Sequence, residues 1–533
     1  MEANPNPDAK EPQSDDVSSP AKAAPREVEL KLAGSAEALA TLRDAELIAR
    51  HARNRGVVRR LEAVYYDTPD RLLDRNGLSL RVRRSGRRHV QTVKRANKSG
   101  DPLARDEWEV NLPDEKLDLG LLPLAEIGEP LVSLPATSLA LAFATKVRRR
   151  VQKLDFGGAE IELALDDGAI EIADRRLPLC EVELELKSGE AAALYEFGHA
   201  LLDIAPLRVE TASKAARGCR LAFDLPLQAQ KAKPVALAAG DNVDAAIATI
   251  LGNGYRHLIA NLGPAAAGGL PEAVHQMRVS LRRLRTAFSL FGRELAPPAL
   301  EPIAAEAKRL AHVLGPARNW DVFITQTLPD ITAEGLTDID LSSLQEAARP
   351  MQAESYAAVH AALASRRVNR FLLAFGVLIE RRSWRNGIAS EALTVLAEPV
   401  GAFAGRVLAR SHRKALRRGR HFAKLAPEAR HELRLSLKKL RYTIEFFLPL
   451  YAEQPAARKY RARLEKLQEV LGAANDVATT QPLLAELRRG EPRPELDFAA
   501  GAVLGWQRRH ELDASRKLLK RWREFAAAKP FWN

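Results

Sequence analysis

Glu27-Val28-Glu29-Leu30-Lys31 decides how the first half of the chain is read. Side chains alternate along a β-strand, so Glu27, Glu29 and Lys31 share one face while Val28 and Leu30 share the other. Two carboxylates and an ammonium on one face are costly against a dry core. They suit a wet cavity that holds a cation and an anion. Taken alone, the pentapeptide reads more readily as a solvated edge strand.

The pattern recurs, and recurrence changes that balance. Cys180-Glu181-Val182-Glu183-Leu184-Glu185-Leu186 puts three carboxylates on one face, and Glu107-Trp108-Glu109-Val110 puts two. Leu80-Arg81-Val82-Arg83 puts two guanidiniums on one face, and Thr92-Val93-Lys94 adds an ammonium. Like charges in a row on a strand repel unless something neutralises them. Acidic and basic strands facing one lumen would do so through a ligand, with carboxylates on a divalent cation and Lys and Arg on a polyanion. Carboxylate oxygens with waters are what Mg²⁺ or Mn²⁺ prefers.

These segments, together with Tyr65-Tyr66-Asp67-Thr68 and Ser213-Lys214-Ala215-Ala216-Arg217-Gly218, resemble the CYTH domain of the triphosphate tunnel metalloenzymes over about residues 26–225. The resemblance implies a closed eight-stranded antiparallel β tunnel that hydrolyses triphosphate compounds with Mg²⁺ or Mn²⁺. By matching positions it implies that Lys31, Arg81, Arg83, Lys94, Arg149 and Lys214 hold the phosphates. Glu27, Glu29, Glu183 and Glu185 would hold the metal, with Glu181 and Glu107 in support. The expected catalytic set is Glu27, Glu29, Lys31, Arg81, Arg83 and Lys94. Arg105 and Glu109 are expected as structural ion partners. Arg149 is flanked by Arg148 and Arg150, so its face depends on register. The pair Tyr65-Tyr66 reads as strand packing rather than a stacking platform.

The 533-residue chain is 46% apolar, enough for several cores. Its two cysteines, Cys180 and Cys219, are too few for a disulfide framework, which suggests a cytoplasmic protein. No apolar run reaches the ~18 residues of a membrane span, and the N-terminus lacks the pattern of a secretory signal. Residues 1–240 carry 36 Lys+Arg against 38 Asp+Glu, whereas residues 241–533 carry 45 against 30. The whole surplus of +13 therefore sits in the second half, which is a candidate polyanion binder.

Residues 1–25 read as a disordered tail. A helix capped by Ser35 is expected to about Arg50. Strands follow near 59–68, 78–85, 88–95 and 105–111, then a helical or irregular patch near 114–144. Strands resume near 146–155, 159–167, 169–173 and 179–187, with Leu165-Asp166-Asp167-Gly168 as a hairpin turn. A helix near 190–204 and a tail from 206 to 222 close the unit, and 226–240 reads as a linker.

From 241 to about 530 the pattern is helical and internally duplicated. The stretch from His275 through Arg278, Arg282 and Arg283 to Arg285 matches His431, Arg434, Lys438, Lys439 and Arg441 at an offset of 156 residues. Leu314-Gly315 and Leu471-Gly472 match at an offset of 157. Two related helical bundles follow. On each helix an apolar stripe (Met277, Leu281, Leu284, Phe288; Leu433, Leu437, Leu440, Ile444) lies roughly 110° from a stripe of His and cations without acids. A solvated face usually mixes signs to allow i,i+4 pairs, so the faces suggest a groove for a chain of phosphates. More cations lie nearby in Arg318, Arg410, Arg413, Lys414, Arg417, Arg418 and Arg420. This half resembles the CHAD domain, a helical domain linked to inorganic polyphosphate. Asn319 stands where that family usually has an acid.

The expectation is thus an α+β multidomain chain, an eight-stranded β tunnel followed by an all-α duplicated bundle. Its function would be metal-dependent hydrolysis of inorganic triphosphate beside polyphosphate binding, which also suggests association with polyphosphate granules. The alternatives are adenylate cyclase or a thiamine or nucleoside triphosphatase of the same fold, and a non-catalytic granule protein. Aromatics are 6% of residues and few interleave with the basic helices, which argues against single-stranded nucleic acid.

Overall fold

The computed structural model describes residues 26–96, 103–334, 339–489 and 493–532. The expected tail at 1–25 lies outside them. Nine strands form one sheet: β1 (Arg26–Ala33), β2 (Val57–Asp67), β3 (Leu78–Ser85), β4 (Arg88–Ala96), β5 (Ala104–Leu112), β6 (Ala140–Phe156), β7 (Ala159–Ile172), β8 (Arg175–Ser188) and β9 (Arg208–Glu210). The order is β5-β4-β3-β2-β6-β7-β8-β1-β9, and β1 also pairs with β5 through Glu27↔Arg105. That last pairing closes β1–β8 into an eight-stranded antiparallel barrel, which removes the exposed edges of an open sheet. The short β9 is added on β1 beyond the end of β5, with Lys31 opposite Glu210.

Alternation sorts the barrel's side chains as the sequence indicated. Leu30 and Leu32 of β1, Leu163 and Leu165 of β7, and Val182 and Leu184 of β8 point outward into an apolar layer with helices Ala36–Arg43 and Ala192–Leu201. Leu80, Val93 and Trp108 point outward on the other side and are covered by Leu119, Leu122, Ile127 and Leu131. The charged residues take the interior.

The expected hairpin at 165–168 is wrong. β7 runs unbroken from Ala159 to Ile172, with Asp166 opposite Glu181 and Gly168 opposite Val147 and Leu179. Gly168 answers to crowding, not to a turn: a Cβ there would lie 2.1 Å from the Lys146 carbonyl oxygen of β6. The Ser35 cap is present, its oxygen accepting from the Ala38 amide, but the helix breaks into Ala36–Arg43 and Glu46–His51.

The second half is helical throughout. Helices Pro271–Leu295 and Pro427–Phe447, which carry the duplicated motif, pack against each other. Their apolar stripes are buried, from Met277 to Phe291 and from Leu433 to Phe447. Helix Leu300–Val322 passes into a π-helical turn, Phe323–Thr327. The two halves share a core. Gly198 lets Leu30 of β1 and Leu373 approach from opposite halves, Gly376 fits against Tyr195, and Asn369 Oδ1 accepts the Val209 amide of β9 at 2.8 Å.

Candidate active site and polyanion cavity

The barrel encloses a cavity of about 210 Å³. Inward positions of the charged strands contribute: Glu27, Glu29 and Lys31 from β1, Arg81 and Arg83 from β3, and Thr92 and Lys94 from β4. β5 adds Arg105, Glu107 and Glu109, β6 adds Arg149, β7 adds Glu162, and β8 adds Glu183, Glu185 and Lys187. Helix Lys214–Ala222 closes one side, its first turn bringing Ser213 and Lys214 to the lumen. Arg149 faces inward, while Arg148 is exposed and Arg150 turns away to the Arg55 carbonyl.

Acids and bases are interleaved here. Lys94 Nζ lies 2.5 Å from Glu27 and 3.1 Å from Glu107, and Arg81 lies 3.8 Å from Glu107. Arg83 donates to Glu109 at 3.2 Å, the structural pairing expected for Glu109. Lys31 pairs with Glu29 on its own strand. Arg81 also reaches the Tyr65 hydroxyl at 3.4 Å, and the Tyr65 ring stacks on Phe143 at 4.5 Å. Tyr65 is therefore packing partner and lumen residue at once.

A second knot lies deeper. Asp166 accepts from Arg149 Nε at 2.7 Å and Nη2 at 2.6 Å and lies 2.8 Å from Lys214 Nζ. Lys214 also meets Glu183 at 2.6 Å and pairs with Glu181, which in turn holds Arg217. Asp166 and Glu181 are both wholly buried. Glu181, expected to support the metal, does not line the cavity. Its two oxygens are taken by Lys214 and Arg217 behind the lumen wall. Asp166 escaped the sequence reading because Asp-Asp-Gly resembles a turn. The signal that could have found it is parity, since it lies two and four residues from Ala164 and Glu162 on one face.

Electrostatics separate the carboxylates. Burial and the facing Glu183 push Glu29 up to about 7. Burial also raises Glu107 and Glu185. Burial works the same way on Glu183, but Lys214 and Arg149 overcome it and hold that group well below the usual range. Lys94 does the same for Glu27.

The donor set is all oxygen, which suits a hard divalent cation. Glu29 stands directly across the β1–β8 ladder from Glu185, and Glu27 and Glu183 are on the same face. Carboxylates placed so repel without a cation between them. Among the described residues, Asp166, Glu181 and Glu183 bring carboxylate oxygens within 4.8 Å of one another. Arg149, Lys214 and Arg217 already neutralise that triad, and Lys94, Lys31 and Lys187 pair with Glu27, Glu29 and Glu185 in the same way, so a cation on any of these carboxylates would compete with an ion pair.

The helical half has its own cavity, about 330 Å³, between the duplicated helices and the π-helical turn. His275, Arg278, Arg282, Arg318, Arg434 and Lys438 line it, with Asn319, Thr327, Thr479 and Thr480. No carboxylate is among the described lining residues. Asp321 is buried nearby but is held by Gln352 (2.8 Å) and Tyr356 (2.9 Å). Burial, then Arg282 and Arg318, lower Arg278 to about 10; burial, then Arg434 and Arg282, lower Lys438 to about 8. Burial and Arg318 lower His275.

The basic stripes extend less far than the sequence suggested. Arg283, Arg285, His431, Lys439 and Arg441 do not line this cavity. Arg283 is buried 4.0 Å from Glu445, and Arg441 pairs with the same acid at 3.6 Å. Lys439 turns to Ser289 at 3.2 Å, while Arg285 and His431 are exposed. Each helical residue advances 100°, so Arg283 and Lys439 leave the face of Arg282 and Lys438. Arg285 and Arg441 lie about 4.5 Å farther along the axis, beyond the helix crossing.

Residues 25–219 match the model of the CYTH domain, and residues 249–485 match that of the CHAD domain. The chain carries a CYTH domain followed by a CHAD domain. An inorganic triphosphatase of Haemophilus influenzae is 31% identical over 160 residues, which are 29% of this chain and 44% of that relative. The alignment thus spans less than half of the curated relative. The crystal structure of a CHAD domain from Ricinus communis is 31% identical, covers 55% of this chain and 96% of its own, and gives a TM-score of 0.46. A putative adenylyl cyclase from Hippeastrum, described as having a dominant triphosphatase activity, is 17% identical, with coverage of 35% and 92% and a TM-score of 0.26. The tunnel lies in the CYTH domain and the 330 Å³ basic cavity in the CHAD domain. No described helix is long and apolar enough to cross a membrane.

Proposed function

We propose that the CYTH tunnel hydrolyses inorganic triphosphate with a divalent cation, Mg²⁺ or Mn²⁺, and that the CHAD cavity binds inorganic polyphosphate. The observation behind the first part is one small lumen in which cations from seven elements face carboxylates from β1, β5, β7 and β8. Lys31, Arg81, Arg83, Lys94, Arg149 and Lys214 hold the phosphates. Glu27, Glu29, Glu183 and Glu185 hold the cation, and Glu107 steers Lys94 and Arg81. A divalent cation there neutralises phosphate charge and polarises phosphoryl oxygens. Phosphoryl transfer needs positioning and charge neutralisation more than covalent chemistry. The side chains supply both: Asp166 and Glu181 hold Arg149 and Lys214 in place, and Thr92 and Glu109 brace Arg83. Among the described residues Tyr65 is the one aromatic ring on the lumen, and it is stacked on Phe143. The tunnel therefore offers no platform for a nucleobase, which favours inorganic triphosphate over a nucleotide.

For the CHAD part, six basic side chains line one cavity, with no acid among the described lining residues. The test is turnover of triphosphate, ATP and thiamine triphosphate by the full chain, with and without chelator. Inorganic triphosphate should be the preferred substrate, chelator should abolish turnover, and Glu29→Gln should lower it at least a hundredfold, about 3 kcal/mol of transition-state stabilisation. Full activity of Glu29→Gln would refute the tunnel assignment. Polyphosphate binding should fall in Lys438→Glu and stay unchanged in Glu29→Gln.

A further inference from the structure

The duplicated helices agree on one side and disagree on the other. In the second copy Glu445 neutralises both Arg283 and Arg441, at 4.0 Å and 3.6 Å. The repeat offset of 156 places Ser289 at the position of Glu445, Lys439 at that of Arg283, and Arg285 at that of Arg441. The cations are thus repeated and the acid is not. Lys439 Nζ donates to the Ser289 hydroxyl at 3.2 Å and, among the described residues, has no carboxylate within ion-pair distance.

That difference opens a cavity of about 220 Å³ on helices Pro271–Leu295, Val400–Arg418 and Pro427–Phe447. Arg293, Lys414 and Lys439 line it, and among the described residues none is within ion-pair distance of a carboxylate. Its two acids are already engaged: Glu294 by Arg410, and Glu432 by Arg418 at 2.8 Å. Burial lowers the Lys439 ammonium, and Lys414, Arg418 and Arg285 lower it further against a smaller opposing effect of Glu432. The wall is apolar: Leu290, Val407 and Leu435, the last 41% exposed despite its size. Ser289 and Ser411 supply hydroxyls. Neither the polyphosphate cavity nor the tunnel shares any of these residues.

We propose that this cavity binds an organic phosphate, its phosphoryl group taking the place of the missing carboxylate between Ser289, Lys414 and Lys439 and its apolar body lying on Leu290, Val407 and Leu435. A phosphate beside two ammoniums and a hydroxyl makes charge-assisted hydrogen bonds. A small pocket with apolar walls and few convergent polar groups is the usual form of a small-molecule site. Free phosphate would satisfy the cations but leave the wall uncovered.

The probe is adenosine 5′-monophosphate, titrated calorimetrically into the full chain in low salt with chelator, beside inorganic phosphate. The nucleotide should bind, and inorganic phosphate should bind at least tenfold more weakly. Ser289→Glu restores the missing acid. It should weaken the nucleotide at least tenfold, raise the thermal midpoint, and leave triphosphate turnover unchanged, which also reports correct folding. The Lys414→Ala/Lys439→Ala double variant should weaken it as much. Lys438→Glu and Lys94→Ala should leave nucleotide binding intact. Absence of binding, binding unaffected by Ser289→Glu, or loss in Lys438→Glu or Lys94→Ala would overturn the site. Equal affinity for inorganic phosphate would overturn the organic body.

Discussion

Replacing Lys438 by Met should stabilise the protein and weaken its hold on polyphosphate. Burial, and then the neighbouring Arg434, Arg282, Arg441 and Arg278, lower the Lys438 pKa from 10.5 to about 8. Each pKa unit is about 1.4 kcal/mol, so a charged Lys438 costs the fold about 3 kcal/mol at neutral pH before screening. The side chain lies at the cavity wall, partly hydrated, and a Debye length of about 8 Å at physiological salt reduces the repulsion. About 1 kcal/mol is the expected gain for Lys438→Met, and it should grow as salt is removed. The sign follows from proton binding. The folded pKa lies below the unfolded one, so between about pH 8 and 10.5 the unfolded chain holds more protons and stability rises with pH. A bound polyanion reverses the balance and recharges Lys438, so binding near about pH 9 should take up a proton. Thermal unfolding followed by tryptophan fluorescence gives the first quantity. Calorimetric titration with polyphosphate in two buffers of different ionisation enthalpy gives the second. A lower midpoint for Lys438→Met at low salt, or binding without proton uptake, would refute the reasoning.

Other consequences are as direct. Gly168→Ala should cost at least about 2 kcal/mol, because its Cβ would lie 2.1 Å from the Lys146 carbonyl in a continuous ladder; a midpoint within 1 °C of the parent at about pH 7 would contradict this. Asp166→Asn keeps the shape but removes the charge that holds Arg149 and Lys214, so kcat for triphosphate should fall at least tenfold while the circular dichroism spectrum is unchanged. Asp244 accepts from Trp384 and Arg385, both at 2.9 Å, and its pKa is held at about 2. Its contribution is present above the unfolded value of 3.8 and is lost as pH falls towards 2, so Asp244→Asn should cost about 2 kcal/mol at pH 7 and much less at about pH 2.5. Polyphosphate affinity should fall linearly in log–log form with salt, and Lys438→Met should flatten the slope by about one counterion.

The sequence by itself determined which strand faces carry charge. Alternation is local covalent geometry, so Glu27, Glu29, Arg81, Arg83, Lys94, Glu183 and Glu185 could each be placed on the charged face of its own strand before any strand was paired, while a lumen shared by those faces was what the family resemblance implied. It also determined the duplication of the helical half, since repeats are properties of the string. Tertiary structure decided what pairwise proximity alone can decide. Asp166-Asp167-Gly168 has the letters of a turn, yet a neighbouring backbone at β6 fills the space that any other residue would need, and the strand runs on with Asp166 facing inward. Glu181 has the parity of a metal ligand, but Lys214 and Arg217 arrive from a helix some thirty residues later and neutralise it. Cations that fall on one stripe of a wheel are not all brought to one cavity, because helices cross at one place, and a flat wheel has no axis along which to record where that crossing falls.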